Sequence, residues 1–218
     1  IELSKRLAAL ADVFVMDAFA TSHRAHASTT GVITFSDDAC AGFLLDEELT
    51  ALSKVKENAK SSIAVLGGAK ISTKLSLIDS LSKTVDKVIL GGGIANTCLA
   101  AKGYEVGKSL IEESMLEEAK ELITNPKIII PESVIVSMNA DEPGRITSAN
   151  SIQENEAIFD IAPDSFVDLE PIIMNAGTIL WNGPIGFFEK ENFFAGTAMI
   201  AEMIISSKGF SVAGGGDT

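Results

Sequence analysis

Two lysines that follow a glycine pair are the first residues whose types and spacing could do chemistry. Lys70 and Lys74 lie four residues apart, just after Gly67 and Gly68. At the start of a predicted helix, this spacing would direct both ammonium groups to the same side. Because the helix dipole disfavours cations at the N-terminus, a bound anion would relieve that cost. The pattern indicates phosphate binding, and the alternative is a pair of solvated surface lysines.

Glycine clusters end three of the predicted strands, at residues 67–68, 91–93 and 214–216. Ligands of open parallel sheets bind at the carboxyl ends of the strands, and glycine lets backbone N–H groups approach them closely. One cluster would be typical of a tight turn, but three favour a phosphate or nucleotide site. The P-loop motif does not occur, and residues 91–96 lack the third glycine of the dinucleotide fingerprint. The pattern therefore specifies no reaction.

A second cationic cluster consists of His23, Arg24 and His26. Arginine can bind a phosphate or carboxylate group through two parallel hydrogen bonds, so the cluster is a candidate anion site. The alternative for the two histidines is an incidental surface position or a capping hydrogen bond. A metal pair is disfavoured because no third ligand lies nearby in the sequence.

Short aliphatic runs recur along the chain and predict β-strands. The runs are continuous rather than alternating, as in strands that are covered on both faces. The predicted strands are residues 13–16, 63–66, 88–90, 127–130, 134–136, 178–181 and 211–213. Helical spacing of apolar residues predicts helices over residues 74–81, 112–123 and 195–205. This order predicts an α/β fold, namely a Rossmann-like three-layer αβα arrangement with a mainly parallel sheet.

A long polar segment over residues 46–60 carries a single apolar stripe. We interpret it as a helix that connects two domains. Residues 1–45 would then be a truncated piece of a second α/β domain, and residues 61–218 would form the main domain. A stretch rich in Asn, Asp, Pro and Gly over residues 138–153 predicts an exposed hairpin or excursion.

Composition excludes several classes of function. The 218 residues have a net charge of −13, which disfavours general nucleic-acid binding because that requires clustered cations. No apolar run approaches the ~18 residues of a membrane span, and no signal peptide is recognisable. Cys40 and Cys98 are far apart, so we expect buried or idle thiols in a reducing compartment. The chain starts without Met and ends within a glycine-rich motif, and we expect it to be a fragment.

Five ordered segments carry a resemblance to one family. They are residues 17–28 (DAFATSHRAHAS), 66–74 (LGGAKISTK), 89–95 (ILGGGIA), 180–189 (LWNGPIGFFE) with the following Gly196-Thr197, and 214–218 (GGGDT). Their order and spacing resemble the phosphoglycerate kinase family over essentially the whole chain. The resemblance implies a two-domain enzyme that transfers a phosphoryl group between 1,3-bisphosphoglycerate and ADP, with Mg²⁺, to give 3-phosphoglycerate and ATP in glycolysis. It also implies a cytoplasmic monomer whose partners are these small molecules, with no nucleic acid and no membrane.

The same resemblance assigns roles to individual residues. In the amino-terminal domain, which binds the triose, Arg24 would hold the triose phosphate with His23 and His26 beside it. In the carboxyl-terminal domain, which binds the nucleotide, Lys70 would stabilise the phosphoryl group in flight. Lys74 would hold nucleotide phosphates.

Further residues implied by the resemblance surround the nucleotide. They are Gly67, Gly91 and Gly92 in one wall of the adenine pocket, Phe159 on its other side, Asn182 and Pro184 near the nucleotide, Glu189 at the ribose hydroxyls, and Gly214, Gly215, Gly216, Asp217 and Thr218 at the phosphates. Gly215 would join Lys70 and Arg24 in catalysis. Asp217 would lie near the metal.

The chain departs from the family pattern at two turns and at both ends. Ala20 and Ala162 stand where the family usually has glycine, but neither removes a charge, so we expect function to survive. The family's amino-terminal strand, its arginine motifs and the helix after residue 218 are not in this sequence. We therefore expect this polypeptide alone to bind nucleotide weakly and to turn over negligibly.

Two other interpretations remain open. One is a non-catalytic module that binds nucleotide, although the presence of Lys70, Lys74, Glu189 and Asp217 favours the enzyme. The other is a dinucleotide-dependent dehydrogenase, which only the βαβ pattern and the glycines suggest, and which lacks its fingerprint.

Overall fold

The structure, a computed structural model, describes residues 1–57, 61–216 and 218. The chain divides into two compact units, Ile1–Lys54 and Val55–Thr218. Two sequence-based expectations fall outside the described residues: the end of the predicted connecting helix, at residues 58–60, and the predicted metal-binding Asp217.

The first unit is a small α/β assembly. Its elements are α1 (Glu2–Ala8), β1 (Val13–Met16), α2 (Phe19–Ser22), a π-helical turn (Ala27–Gly31), α3 (Val32–Phe35), β2 (Asp38–Ala41) and most of α4 (Phe43–Glu57), whose last three residues belong to the second unit. The two strands pair in parallel as a two-stranded sheet. The predicted strand at residues 13–16 is confirmed. The strand β2 was not predicted, because a short run containing Asp and two Ala residues carries little strand signal.

The helix α4 begins three residues before the predicted connecting helix. Its first turn is held by Asp17, which follows β1 and whose Oδ1 accepts a hydrogen bond from the Leu45 N–H (2.9 Å). A carboxylate at this position satisfies a free backbone donor and complements the positive end of the helix dipole. The early start of α4 therefore depends on a residue far away in the sequence, which local spacing could not reveal.

The described part of the second unit contains two sheets and five helices longer than one turn. Its elements are β3 (Ser62–Leu66), α5 (Leu75–Thr84), β4 (Lys87–Leu90), α6 (Gly92–Ala101), α7 (Leu116–Leu122), β5 (Ile128–Ile129), β6 (Ser133–Ser137), β7 (Arg145–Ser148), β8 (Ala157–Ile161), α8 (Phe166–Met174), β9 (Thr178–Asn182), α9 (Ala195–Ser206) and β10 (Phe210–Gly214). The main sheet has the order β10-β9-β3-β4-β5, and all its neighbouring strands are parallel.

Helices cover both faces of the main sheet. Along β3, Ala64 and Leu66 face a core formed with α5, α6 and α7. The alternate residues Ile63 and Val65 face a second core formed with α8 and α9. Because side chains alternate along a strand, burial on both faces explains the continuous apolar runs in the sequence. The predicted three-layer αβα fold is confirmed.

A separate antiparallel sheet of order β7-β6-β8 lies in the same unit. The predicted excursion over residues 138–153 is confirmed as the turn and second strand of the β6–β7 hairpin. The assignment of residues 134–136 to the parallel set was wrong, since this strand pairs antiparallel on both sides. A short continuous apolar run looks the same in either kind of sheet, so the sequence could not distinguish them.

The predicted helix over residues 112–123 is divided into a 3₁₀ turn (Glu113–Met115) and α7. The helix α6 was not predicted, because it is buried on nearly every side and shows no amphipathic stripe. No helix among the described residues is long and apolar enough to cross a bilayer.

Candidate functional site

Four neighbouring strands of the main sheet end in glycine. After the strands β10, β9, β3 and β4 come Gly215, Gly183, Gly67 and Gly91, all at the same edge of the sheet. Three of these glycine clusters were predicted from the sequence. The fourth, Gly183, was missed as a strand-end glycine because it stands alone between Asn182 and Pro184. The four glycines carry no side chains at this carboxyl edge, so a ligand can approach the backbone closely.

Two of these glycines allow the backbones after β3 and β9 to come into close contact, at a point that we call the glycine crossing. A Cβ on Gly67 would lie 1.7 Å from the Pro184 carbonyl oxygen. A Cβ on Gly183, which has φ +95°, would lie 2.5 Å from the Gly67 carbonyl oxygen. Neither position can accept a side chain unless main-chain atoms move. This close contact restrains the segment that begins at Pro184.

A cavity of about 540 Å³ opens beside this edge, within the size range of small-molecule sites. Its lining includes Gly68, Gly92, Gly93, Asn96, Leu99, Lys108, Leu110, Val134, Ile158, Phe159, Pro184, Ile185, Phe187 and Glu189. Phe159 stacks on Phe187 and Phe193, with ring centroids 6.0 Å and 4.7 Å apart. The cavity therefore has an aromatic and aliphatic wall with charged groups among its lining residues.

The start of α6 forms the glycine wall of the cavity. Gly92 has φ +62°, and a Cβ there would lie 2.8 Å from the Gly68 carbonyl oxygen. A Cβ on Gly93 would lie 2.2 Å from the Ala69 carbonyl oxygen. Close contact of the two backbones thus requires glycine at both positions. It brings the positive end of α6 to the cavity wall.

The segment that carries the two predicted phosphate-binding lysines differs from its prediction. The helix α5 begins at Leu75, so Lys70 lies in an exposed loop and not on a helix. The expectation that Lys70 and Lys74 share a helix face was therefore wrong. The loop forms because Gly68 takes φ +134°, and a turn bond from the Lys74 N–H to the Ile71 carbonyl (2.9 Å) precedes the helix.

Lys74 joins the ends of two strands. Its Nζ donates hydrogen bonds to the carbonyl oxygens of Gly67 (2.6 Å) and Asn182 (3.0 Å). Gly67 directly follows β3, and Asn182 is the last residue of β9. The Gly67 N–H also donates a hydrogen bond to the Asn182 carbonyl (3.1 Å). The ammonium thus stabilises the glycine crossing. Its expected contact with nucleotide phosphates stays a prediction.

The other sequence-predicted residues of this unit lie around the same edge. Those that line the cavity are Gly92, Phe159, Pro184 and Glu189. Gly91 packs against Ile185, since a Cβ there would lie 2.6 Å from its side chain. Gly214 ends β10, and Gly215 and Gly216 follow it. The Thr218 Oγ1 accepts a hydrogen bond from the Gly183 N–H (2.8 Å) and donates one to the Gly214 carbonyl (2.7 Å).

Asp160, a cavity-lining residue that the sequence did not single out, anchors α9. Its Oδ2 accepts a hydrogen bond from the Gly196 N–H (2.7 Å) and its Oδ1 accepts one from the Ile161 N–H (2.9 Å). The side chain is buried, and burial raises its pKa from 3.8 to about 6 against the opposing effect of these bonds. An aspartate within an otherwise apolar strand was the signal that could have identified it.

Thr197, in the first turn of α9, binds the cavity-lining segment that follows Pro184. Its Oγ1 accepts hydrogen bonds from the N–H groups of Ile185 and Gly186, both at 3.2 Å. Thr197 thus attaches the segment after Pro184 to the start of α9, and Asp160 attaches β8 to the same turn. The sequence pattern indicated Gly196-Thr197 only as part of a motif and gave no role for the hydroxyl.

We expect the raised pKa of Asp160 to appear in the pH dependence of stability. A carboxyl group whose pKa is higher in the folded state than in the unfolded state adds to the free energy of unfolding below pH ~4. This contribution is lost as the pH rises through about 6. The loss should approach about 3 kcal/mol, at 1.36 kcal/mol per pKa unit. Asp160→Asn should abolish it, as measured by urea unfolding at several pH values.

Glu156→Gln is the matched control for this measurement. Hydrogen bonds from Arg145 hold the pKa of Glu156 below its ordinary value. The contribution of Glu156 to the free energy of unfolding is therefore lost as the pH falls, whereas that of Asp160 is lost as the pH rises. Parallel stability curves for the parent protein and Asp160→Asn would show that Asp160 does not titrate as proposed.

The predicted triose-binding cluster lies in the first unit. His23, Arg24 and His26 are exposed in the segment between α2 and the π-helical turn. The Arg24 carbonyl accepts hydrogen bonds from the hydroxyls of Thr29 and Thr30. These bonds fix the backbone of the segment in which the three exposed residues lie.

The fold and the position of the cavity define an αβα protein with a small-molecule cavity at the carboxyl edge of its parallel sheet. Residues 1–218 match the phosphoglycerate kinase family. The chain therefore belongs to the phosphoglycerate kinase family, as the five sequence segments indicated. This membership removes the basis for the dehydrogenase interpretation.

Two solved structures are similar to this chain along almost its whole length. Phosphoglycerate kinase from Coxiella burnetii is 45% identical, with a TM-score of 0.91, and the match covers 99% of this chain and 58% of that one. Phosphoglycerate kinase from Pyrococcus horikoshii OT3 is 31% identical, with a TM-score of 0.84, and the match covers 99% and 57%. This chain thus spans less than two thirds of the length of these relatives.

The two alanines that replace glycines of the family pattern occupy ordinary backbone conformations. Ala20 lies within the helical turn α2, where alanine is favourable. Ala162 has φ −84° and ψ 156°, an extended conformation open to any residue. Neither position depends on the conformational freedom of glycine in this structure.

Proposed function

We propose that the full-length protein is a phosphoglycerate kinase, which transfers a phosphoryl group between 1,3-bisphosphoglycerate and ADP to give 3-phosphoglycerate and ATP. The observation that carries this proposal is the glycine-ended sheet edge with its adjoining cavity, in a chain of this family. The four strand ends carry glycine and so leave room for a polyphosphate beside the positive end of α6, and the apolar cavity next to them suits a base.

The adenine ring is proposed to enter the cavity between the glycine wall and the aromatic wall. Gly92 contributes the first wall, while Phe159 and Pro184 contribute to the second. Glu189 also lines the cavity, where its carboxylate can accept hydrogen bonds from ribose hydroxyls. An apolar cavity with a few polar groups that orient the ligand is typical of small-molecule sites.

Lys70 is proposed to neutralise charge on the transferred phosphoryl group. It is exposed, and no ion pair within 4.0 Å holds its ammonium among the described residues. Phosphoryl transfer requires positioning and charge stabilisation rather than a covalent nucleophile. A cation on the loop at the carboxyl edge meets that requirement, while Lys74 keeps the crossing of the strand ends in place.

Mg²⁺ is proposed to accompany the nucleotide. Within the described ranges, no group of three or more His, Cys, Asp or Glu side chains is placed to hold a metal ion. This fits a Mg²⁺ held mainly by phosphate oxygens, with one protein carboxylate, since this ion usually binds in that way. Asp217 is the proposed carboxylate. The bound ion would withdraw charge from the phosphate oxygens.

The triose is proposed to bind the first unit through Arg24, with His23 and His26 beside it. Arginine is suited to a phosphate or a carboxylate, and 3-phosphoglycerate carries both kinds of group.

We further propose that the protein is a cytoplasmic monomer and that it binds no nucleic acid. The net charge of −13 is consistent with the absence of nucleic-acid binding. The proposed domains are residues 1–45, a connecting helix over 46–60, and residues 61–218.

A coupled assay of the full-length protein tests the proposed function. ATP should form from ADP and 1,3-bisphosphoglycerate in an amount equal to the 3-phosphoglycerate produced. The polypeptide of residues 1–218 should give negligible turnover in the same assay. Full-length protein that binds ADP but forms no ATP would be the non-catalytic module and would contradict the proposal.

A further inference from the structure

The carboxylate of Glu112 holds the loop that carries Lys70. Its Oε2 accepts a hydrogen bond from the Ser72 N–H (2.8 Å), and its Oε1 accepts one from the Ser72 hydroxyl (2.6 Å). Ser72 is two residues from Lys70, so both bonds restrain the short segment from which the Lys70 ammonium projects. The bonds from Ser72, with a smaller effect of the Lys70 charge, hold the pKa of Glu112 below its ordinary value. Glu112 is therefore ionised at neutral pH.

Glu112 is itself fixed to α6. Its N–H donates a hydrogen bond to the Thr97 Oγ1 (3.2 Å), and this fully buried hydroxyl donates to the Gly93 carbonyl (2.8 Å). Two residues earlier, the Leu110 carbonyl accepts a hydrogen bond from the Asn96 Nδ2 (3.3 Å). Because α6 is buried on nearly all sides, the segment that carries Glu112 has a rigid support.

The rest of the loop is anchored independently of Glu112. The Gly68 carbonyl accepts a hydrogen bond from the Ile94 N–H (3.2 Å), and the Ile71 side chain is fully buried in the core. At the far end, Lys74 binds the two strand-end carbonyls. Between these anchors, the Thr73 hydroxyl, next to Ser72, donates a hydrogen bond to the Lys70 carbonyl (2.9 Å). Loss of Glu112 should therefore leave the loop folded at both ends and loosen Ser72, Thr73 and, through this bond, Lys70.

We propose that Glu112 is a positioning residue, which acts through Ser72 to hold Lys70 in the geometry that phosphoryl transfer requires. This inference rests on the proposed function. A direct contact of Glu112 with substrate is disfavoured, because its negative charge would repel a phosphate. A charged group must be held within about 0.5 Å of its productive position, and a misplacement of about 1 Å can cost about a hundredfold in rate.

The test compares single variants of the full-length protein. Glu112→Ala should lower kcat about tenfold and leave the Kd for ADP within about twofold of the parent value, since the cavity is intact. Glu112→Gln should recover part of the loss, because its side-chain carbonyl can still accept one bond from Ser72. Glu113→Ala, which removes the adjacent exposed carboxylate, is the matched control and should keep the parent kcat.

A double variant separates positioning from a general structural effect. If Glu112 acts through Lys70, adding Glu112→Ala to Lys70→Ala should lower kcat no further. An additional loss in the double variant, or an equal loss in Glu113→Ala, would overturn the inference. If Glu112→Ala does not fold, Ser72→Ala, which removes one of the two bonds and no charge, should give a smaller loss of kcat, and an unchanged kcat would overturn the inference.

The outcomes distinguish this inference from the proposed function. A parent-like kcat in Glu112→Ala, together with a large loss in Lys70→Ala, overturns the positioning role and leaves the proposed function intact. A parent-like kcat in Lys70→Ala removes the catalytic role of Lys70, and with it the basis of the inference.

Discussion

Replacing Lys70 with alanine in the full-length protein is expected to lower kcat by about a hundredfold to a thousandfold, with a loss of only a few fold in ADP affinity. The ammonium is exposed on the loop at the carboxyl edge, where the phosphoryl group would pass. A cation that meets charge developing in the transition state contributes more to turnover than to substrate binding. The coupled assay gives kcat, and calorimetry gives the Kd for ADP.

Lys83→Ala is the matched control for this variant. Lys83 lies in the last turn of α5, and among the described residues its ion pair is with Asp79 on the surface (2.7 Å), so its loss should change neither kcat nor the Kd for ADP. Near-normal turnover in Lys70→Ala would remove Lys70 from the catalytic role. Equal losses in ADP affinity and in turnover would make it a residue of ground-state binding instead.

Replacing Gly67 with alanine should destabilise the fold and abolish ADP binding together. The added Cβ would lie 1.7 Å from the Pro184 carbonyl oxygen and 2.9 Å from that of Gly183. Both neighbours are main-chain atoms, so no side-chain rotation can relieve the contact. Overpacking of this kind costs about 1–3 kcal/mol or more, and the shift would displace the cavity wall that begins at Pro184.

Gly103→Ala separates this steric effect from simple backbone strain. Gly103 has φ +90° and open space where a Cβ would stand, so alanine there should cost about 1–3 kcal/mol through strain alone. Its ADP affinity should match that of the parent. Urea unfolding and calorimetry of both variants provide the comparison, and a Gly67→Ala protein with parent stability and affinity would refute the close crossing.

The layered fold was predictable because a strand that is buried on both faces is apolar at consecutive positions. The runs at residues 63–66, 88–90 and 178–181 are strands of the parallel sheet, and apart from Thr178 they are continuously apolar. The run at residues 211–213 is also a strand, although this edge strand is largely exposed. The strand β8 was missed because Asp160 interrupts its apolar pattern. Its carboxylate is tolerated there because two backbone N–H groups satisfy it, a circumstance that only the folded chain creates.

The candidate site was predictable in its glycines and less so in its lysines. Glycine clusters after strands follow from chain order alone. The loop that carries Lys70 depends instead on φ +134° at Gly68 and on bonds to Glu112, forty residues away. Helical spacing could not reveal either, so the two lysines were placed on one helix face. The carbonyl partners of Lys74 likewise come together only when β3 and β9 pair.

The most direct test of the nucleotide site is a crystal structure of the full-length protein with ADP and Mg²⁺. We expect the adenine ring in the cavity between Gly92 and Phe159, the ribose at Glu189, and the phosphates along the glycine-ended edge of the sheet. Nucleotide bound elsewhere, with this cavity empty at saturating ADP, would contradict the assignment of the site.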